Sequence, residues 1–226
     1  MSNFEVEKVF EEGDTNDVFL TGEGTVVKKF SRVSLPAVAI SLAYMFTGYP
    51  RFFTRDNRME NEKEVRTKNQ DHLDFPDIIS AREKFMEFEY IEGRSLEEKA
   101  ENPDECEEMG KLLGNAMKGL QSENIFLVDY SLDNFIQAGE DLYHIDPEYA
   151  GFRNSKANRL MDILSLLFAF KILPPENYRN GLKGLESVRG RTSFLEMFLA
   201  NSLALLYAVF LGSRAEFSNS VKNFKR

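Results

Sequence analysis

The sequence predicts an α+β chain in which an antiparallel, strand-rich N-terminal part meets a mainly helical C-terminal part across a cleft. Short apolar runs alternate with turn-rich stretches over the first thirty residues, and apolar residues step at helical intervals after residue 95. Within the later part, two apolar stretches each deliver an acid at their end, Asp129 and Asp146.

"FEVEKVF", "DVFL" and "TVVKKF" are separated by "EEGDTN" and "TGEG", and this short spacing predicts an antiparallel meander. The region 55–70 is charged and free of Gly and Pro, as expected of an exposed helix with one contact edge. "DFPDII" and "EKFMEFEYI" predict two more strands. In "NPDECEEMGKLLGNAMKGLQ", Asn102 is the expected N-cap, Pro103 the first helical residue and Glu105 the acid three after the cap. Cys106, Met109, Leu113, Ala116 and Leu120 then fall on one face. Residues 159–171, "RLMDILSLLFAFK", repeat the pattern with Leu160, Ile163, Leu164, Leu167 and Phe168. "ILPPENYRNGLKG" leads on to the long apolar segment 194–212. The change of pattern near "YIEGRSL" divides the chain into lobes of residues 1–90 and 91–226.

The 226 residues suffice for a substantial core. A formal charge of −9 argues against nucleic acid as the main partner, because binding a phosphate backbone requires a basic surface. The single cysteine, Cys106, allows no internal disulfide and suits a cytoplasmic setting. "SLPAVAISLAYMF" (34–46) is too short to span a bilayer, and segment 194–212 contains Glu196 and Asn201, which are costly in lipid. Both read as buried or interfacial helices. With the basic residues of the tail, they leave peripheral membrane contact open. Oligomeric state is not legible.

Asp129 and Asn134 lie five apart, and Asp146 follows twelve residues later, beyond a turn at "AGED". If "FIQ" and "LYHI" form a hairpin, Asn134 and Asp146 reach neighbouring strand ends, where an amide oxygen and a carboxylate can share a hard cation. Asp129 then sits a short loop away.

At these residues the sequence resembles the protein-kinase-like phosphotransferases, which include RIO-type and KEOPS-type kinases and the aminoglycoside and methylthioribose kinases. "VDYSLDNF" is similar to their catalytic loop, and "HIDPEYA" to their metal-binding segment. "VVKKF" resembles the strand of the nucleotide lysine, "MENEKEV" the helix of its glutamate partner, and "FEYIEGRSL" the hinge, in the same order along the chain. The resemblance covers residues 5 to about 170 and implies a two-lobed, ATP- and Mg2+-dependent kinase. Asp129 would be the catalytic base and Asn134 and Asp146 the metal ligands. Lys28, Glu62, Gly13 of the phosphate-covering turn, and Glu89 and Ile91 of the hinge would serve the nucleotide. Lys29 remains a rival to Lys28, and Glu60 and Glu64 to Glu62.

Several positions depart from the family pattern. The histidine preceding the catalytic aspartate is Leu127 or Val128 here, which predicts a loosely anchored loop, and Ser131 replaces the lysine of protein kinases. Asp14 and Asp17 in the phosphate turn would repel phosphates unless they point away. His144 reads as a structural residue, Glu148 as a turn acid in preference to a group that binds the metal or supports its ligands, and Asp162 as either a support for the catalytic loop or a solvent-facing helix acid. The resemblance implies a hydroxyl acceptor; "IDPEYA" leans toward a small molecule, whereas the short helical lobe, with little room for a dedicated pocket, slightly favours protein Ser/Thr. A small-molecule acceptor of the aminoglycoside phosphotransferase type, and a binding module without turnover, are the alternatives.

Overall fold

A computed structural model describes residues 6–12, 16–30, 54–67, 73–152, 155–193 and 196. Gly13, Asp14, His72, the apolar stretch 34–53, the tail and nearly all of segment 194–212 lie outside the described residues.

Strands β1 (Val6–Glu12), β2 (Asn16–Thr21) and β3 (Thr25–Phe30) form the expected meander. They join β5 (Phe85–Glu89) and β4 (Ile78–Arg82) in a five-stranded antiparallel sheet of order β1-β2-β3-β5-β4. Strand β4 begins later than "DFPDII" suggests; Asp74 instead bridges Tyr143 in the second half of the chain. Helix α1 (Arg55–Arg66) is capped by Thr54, whose hydroxyl accepts from the Asn57 backbone N–H. Its contact edge is unusually polar, with Arg58, Asn61 and Glu62 buried beside Met59 and Val65. That edge faces a small apolar cluster of Phe30, Met59, Met86 and Phe88.

A second, three-stranded sheet comprises β6 (Arg94–Ser95), β7 (Phe135–Ala138) and β8 (Asp141–His144). Helices α2 (Leu96–Ala100) and α3 (Pro103–Ser122) follow β6. Asn102 caps α3 with Pro103 at its start, and the face of Cys106, Met109, Leu113, Ala116 and Leu120 is buried as its periodicity requires. Helix α4 (Lys156–Lys171) buries Leu164, Leu166, Leu167 and Phe170, whereas Leu160 and Ile163 are only partly covered. The helix is apolar on more than one side, so periodicity alone did not select the inner face.

The stretch read from sequence as a connection is largely a helix, α5 (Pro175–Arg189). Pro175 opens it, where a missing N–H costs nothing. Gly184 permits close packing on α3, since a Cβ there would lie 1.9 Å from the Glu107 carbonyl oxygen. The residues that look like helix breakers are therefore a start signal and a packing notch. No helix among the described residues is long and apolar enough to cross a membrane.

Candidate active site

Side chains alternate across β3, so Lys28 and Phe30 point inward while Lys29 points away. Lys28 is 3% exposed, and its Nζ lies 2.8 Å from Glu62 Oε2, 2.5 Å from Asp146 Oδ1 and 3.0 Å from Glu148 Oε2. Burial pulls the Lys28 ammonium toward neutrality, but the carboxylates of Asp146, Glu148 and Glu62 outweigh it and hold its pKa above the ordinary lysine range. Lys29 instead pairs with Asp17 at the surface, which neutralises one of the acids beside the phosphate turn. Glu60 and Glu64 are exposed, whereas Glu62 is fully buried between Lys28 and Arg66, whose Nη2 lies 2.6 Å from Glu62 Oε1. Arg66 also donates to the Ile145 carbonyl at 2.6 Å and thereby fixes α1 against the segment leading into Asp146.

The carboxylates of Glu62, Asp146 and Glu148 converge closely enough to suggest a cation site. The Lys28 ammonium already bonds to all three, so this cluster is built around a lysine.

The hairpin β7–β8 pairs Phe135 with His144, and the Ile145 N–H donates to the Asn134 carbonyl at 2.9 Å. Asn134 and Asp146 thus lie at adjoining strand ends. Asn134 Nδ2 donates to Asp129 Oδ2 at 3.3 Å, which makes Oδ1 the acceptor end of that amide. With the 28% exposed Asp146 carboxylate, it gives the pair of hard oxygen donors that magnesium prefers. The other Asp129 oxygen accepts the Ser131 N–H at 3.0 Å. Desolvation raises the Asp129 pKa to about 6 despite that bond, with help from the nearby Asp146 carboxylate.

The segment around Asp129 is firmly anchored, contrary to the expectation from its missing histidine. His144 reaches the loop from β8, with Nε2 3.3 Å from the Asp129 carbonyl oxygen. Burial lowers the His144 pKa to about 3, so the ring is neutral, and the carbonyl partner requires the proton on Nε2. Asp162 of α4 is fully buried, and its Oδ1 accepts from the N–H groups of Leu127 at 3.1 Å and Val128 at 2.9 Å. These bonds hold Val128 at φ +68°, a strained conformation for a β-branched residue directly before Asp129.

Glu89 ends β5 opposite Thr25, and Ile91 lies in the linker that follows. Sequence reasoning overlooked Asn16, Arg58, Asn61 and Arg66. Of these only Arg66 carried a local signal, the i,i+4 spacing from Glu62. Glu148, for which the turn-acid reading was preferred to a role beside the metal, is fully buried and held by Asn16, Arg58 and Lys28, all distant in sequence.

No protein-family model matches the sequence, and no curated protein matches it. Among solved structures, the streptomycin–ATP–APH(2'')-IIa ternary complex superposes with a TM-score of 0.61 at 12% identity, covering 92% of this chain and 85% of that one. The ADP-bound aminoglycoside phosphotransferase APH(2'')-Ib gives a TM-score of 0.58 at 12% identity, covering 96% of this chain and 92% of that one. The chain therefore has the two-lobed, protein-kinase-like α+β fold of the aminoglycoside phosphotransferases.

Proposed function

We propose that the protein is an ATP-dependent kinase that transfers the γ-phosphate to a hydroxyl of a small molecule. The observation that carries this reading is the Lys28–Glu62 pair meeting Asp146 beside the Asn134–Asp129 pair, on a fold shared with phosphotransferases. The slight preference for protein Ser/Thr gives way to a small-molecule acceptor. The two similar structures are aminoglycoside phosphotransferases, one holding streptomycin, and this chain spans most of their length, so a short helical lobe is no argument against such an acceptor.

In this reading Lys28 exchanges part of its carboxylate contacts for the ATP phosphates, while Glu62, itself held by Arg66, keeps the ammonium in place. Asn134 and Asp146 would hold the metal, whose chemistry when bound would be to neutralise phosphate charge. Asp129 accepts the acceptor's hydroxyl proton; with a pKa near 6 it is mostly ionised at neutral pH yet basic enough to assist. His144 and Asp162 keep its backbone in place through the Asp129 carbonyl and the two preceding N–H groups.

The test is incubation with Mg2+ and γ-labelled ATP in a cell extract, with label counted separately in protein, lipid and small-molecule fractions and Asp129→Ala as control. Label confined to the small-molecule fraction and lost in the control supports the proposal. Asp129-dependent label in protein would restore the protein-kinase reading, and equal counts in both samples would favour a binding module.

A further inference from the structure

Glu148 is 0% exposed, and both carboxylate oxygens are engaged. Oε1 accepts from Arg58 Nη1 at 2.9 Å; Oε2 accepts from Asn16 Nδ2 at 2.9 Å and lies 3.0 Å from Lys28 Nζ. Arg58 Nη1 also donates to Asn16 Oδ1 at 3.3 Å, closing a triangle of side chains. Asn61, one turn along α1 from Arg58, donates through Nδ2 to the Glu148 carbonyl at 3.0 Å and to that of Ala150. The network joins three separate parts of the chain. Asn16 is the first residue of β2, directly after the phosphate-covering turn; Arg58 and Asn61 lie on α1, and Glu148 follows the metal-binding aspartate by two residues. With Arg66, its neighbourhood sets the cations Lys28, Arg58 and Arg66 against the carboxylates Glu62, Asp146 and Glu148. A buried charge so compensated is stable only while every partner stays in place.

We propose that Glu148 is a positioning residue, a clamp that fixes the root of the β1–β2 hairpin and Lys28 onto the metal-binding segment, so that the nucleotide grip is assembled in the resting chain. This rests on the reading of Lys28 as the nucleotide lysine. Both Glu148 oxygens are engaged by Asn16, Arg58 and Lys28, and Glu148 acts through these groups; direct ligation of the metal is the rival outcome that the Mg2+ titration below reads.

The experiment compares wild type, Glu148→Gln, Asn16→Asp and the double variant Glu148→Gln/Asn16→Asp. ATP affinity is measured by calorimetry over a Mg2+ titration, and amide exchange across residues 16–21 is followed without nucleotide. Glu148→Gln keeps the shape but replaces one acceptor oxygen by a donor that opposes Asn16 Nδ2 and Lys28. It should weaken ATP binding about tenfold, the equivalent of roughly 1.4 kcal/mol, speed exchange in β2 and leave the Mg2+ half-saturation unchanged. In the double variant the carboxylate introduced at position 16 can accept from both the amide introduced at position 148 and Arg58, and should return ATP affinity to within about threefold of wild type. A tenfold rise in the Mg2+ half-saturation of Glu148→Gln would overturn the proposal by making Glu148 a metal ligand. Unchanged ATP affinity, unchanged exchange in β2, or a double variant no better than Glu148→Gln would overturn it as well. Wild-type protein that binds no ATP would sink the kinase reading itself and the nucleotide half of the clamp with it, whereas exchange restored in the double variant would still identify the mechanical link.

Discussion

Replacing Asp162 by alanine removes the acceptor of two buried N–H groups, those of Leu127 and Val128. Each buried donor left without a partner costs about 1–3 kcal/mol, so Asp162→Ala should lose roughly 2–6 kcal/mol. That is a large share of a typical stability of about 5–15 kcal/mol. Freed from these bonds, Val128 can leave its strained φ of +68° and take the adjacent Asp129 out of position, so turnover should fall by more than the unfolded fraction explains. Asp162→Asn keeps an oxygen that can accept both bonds and should cost about 1 kcal/mol or less. The pH dependence has a definite sign. Burial raises the Asp162 pKa from 3.8 to about 8 against the opposing backbone bonds, so the fold retains a proton that the unfolded chain releases. Asp162 therefore subtracts stability as pH rises from about 4 to about 8, and Asp162→Asn should gain on wild type over that interval. Urea unfolding of the three proteins at pH 5 and pH 8, with midpoint and slope compared, measures both effects. A loss below about 0.5 kcal/mol in Asp162→Ala, or an Asn variant as damaged as the Ala variant, would refute the reasoning.

Lys28→Met leaves the Glu62, Asp146 and Glu148 carboxylates without their common cation and should cost about 3–5 kcal/mol in urea unfolding while abolishing ATP binding by calorimetry. If Asp129 is the proton acceptor proposed above, it must be ionised to act, and with its pKa raised to about 6, kcat/KM should fall as pH drops through about 6 and level off above it in a pH–rate profile. Gly184→Ala places a Cβ 1.9 Å from the Glu107 carbonyl oxygen and should destabilise by at least about 1–3 kcal/mol in the same unfolding assay. Gly139→Ala meets nothing within 4 Å but sits at φ +64°, and should cost only about 1–2 kcal/mol.

What was legible in the sequence is what local spacing encodes. The meander, the capped helix α3 and the Asn134–Asp146 juxtaposition follow from turn residues, periodicity and hairpin register within a few residues of one another. The Lys28 and Glu62 pairing came from the resemblance of "VVKKF" and "MENEKEV" to the family's lysine strand and glutamate helix, since β3 and α1 are separated by more than twenty residues and no local spacing joins them. Asn16 and Arg58 were opaque, and the turn-acid reading of Glu148 prevailed over a role beside the metal, because each looks like an ordinary surface residue until folding brings together positions 132 and 90 apart in sequence. His144 reads as structural from the sequence, but its anchoring of the Asp129 segment from β8 is a contact that a motif centred on Asp129 does not reveal. Helix α5 was missed because Pro175 and Gly184 punctuate a sequence locally, while their use depends on α3 lying alongside.

The most direct test of the account separates nucleotide binding from phosphoryl transfer at Asp129. Asp129→Asn should bind ATP with Mg2+ within about threefold of wild type, yet transfer labelled γ-phosphate into the small-molecule fraction about a hundred- to ten-thousandfold more slowly. Undiminished transfer in Asp129→Asn, or wild-type protein with no Mg2+-dependent ATP binding, would contradict it.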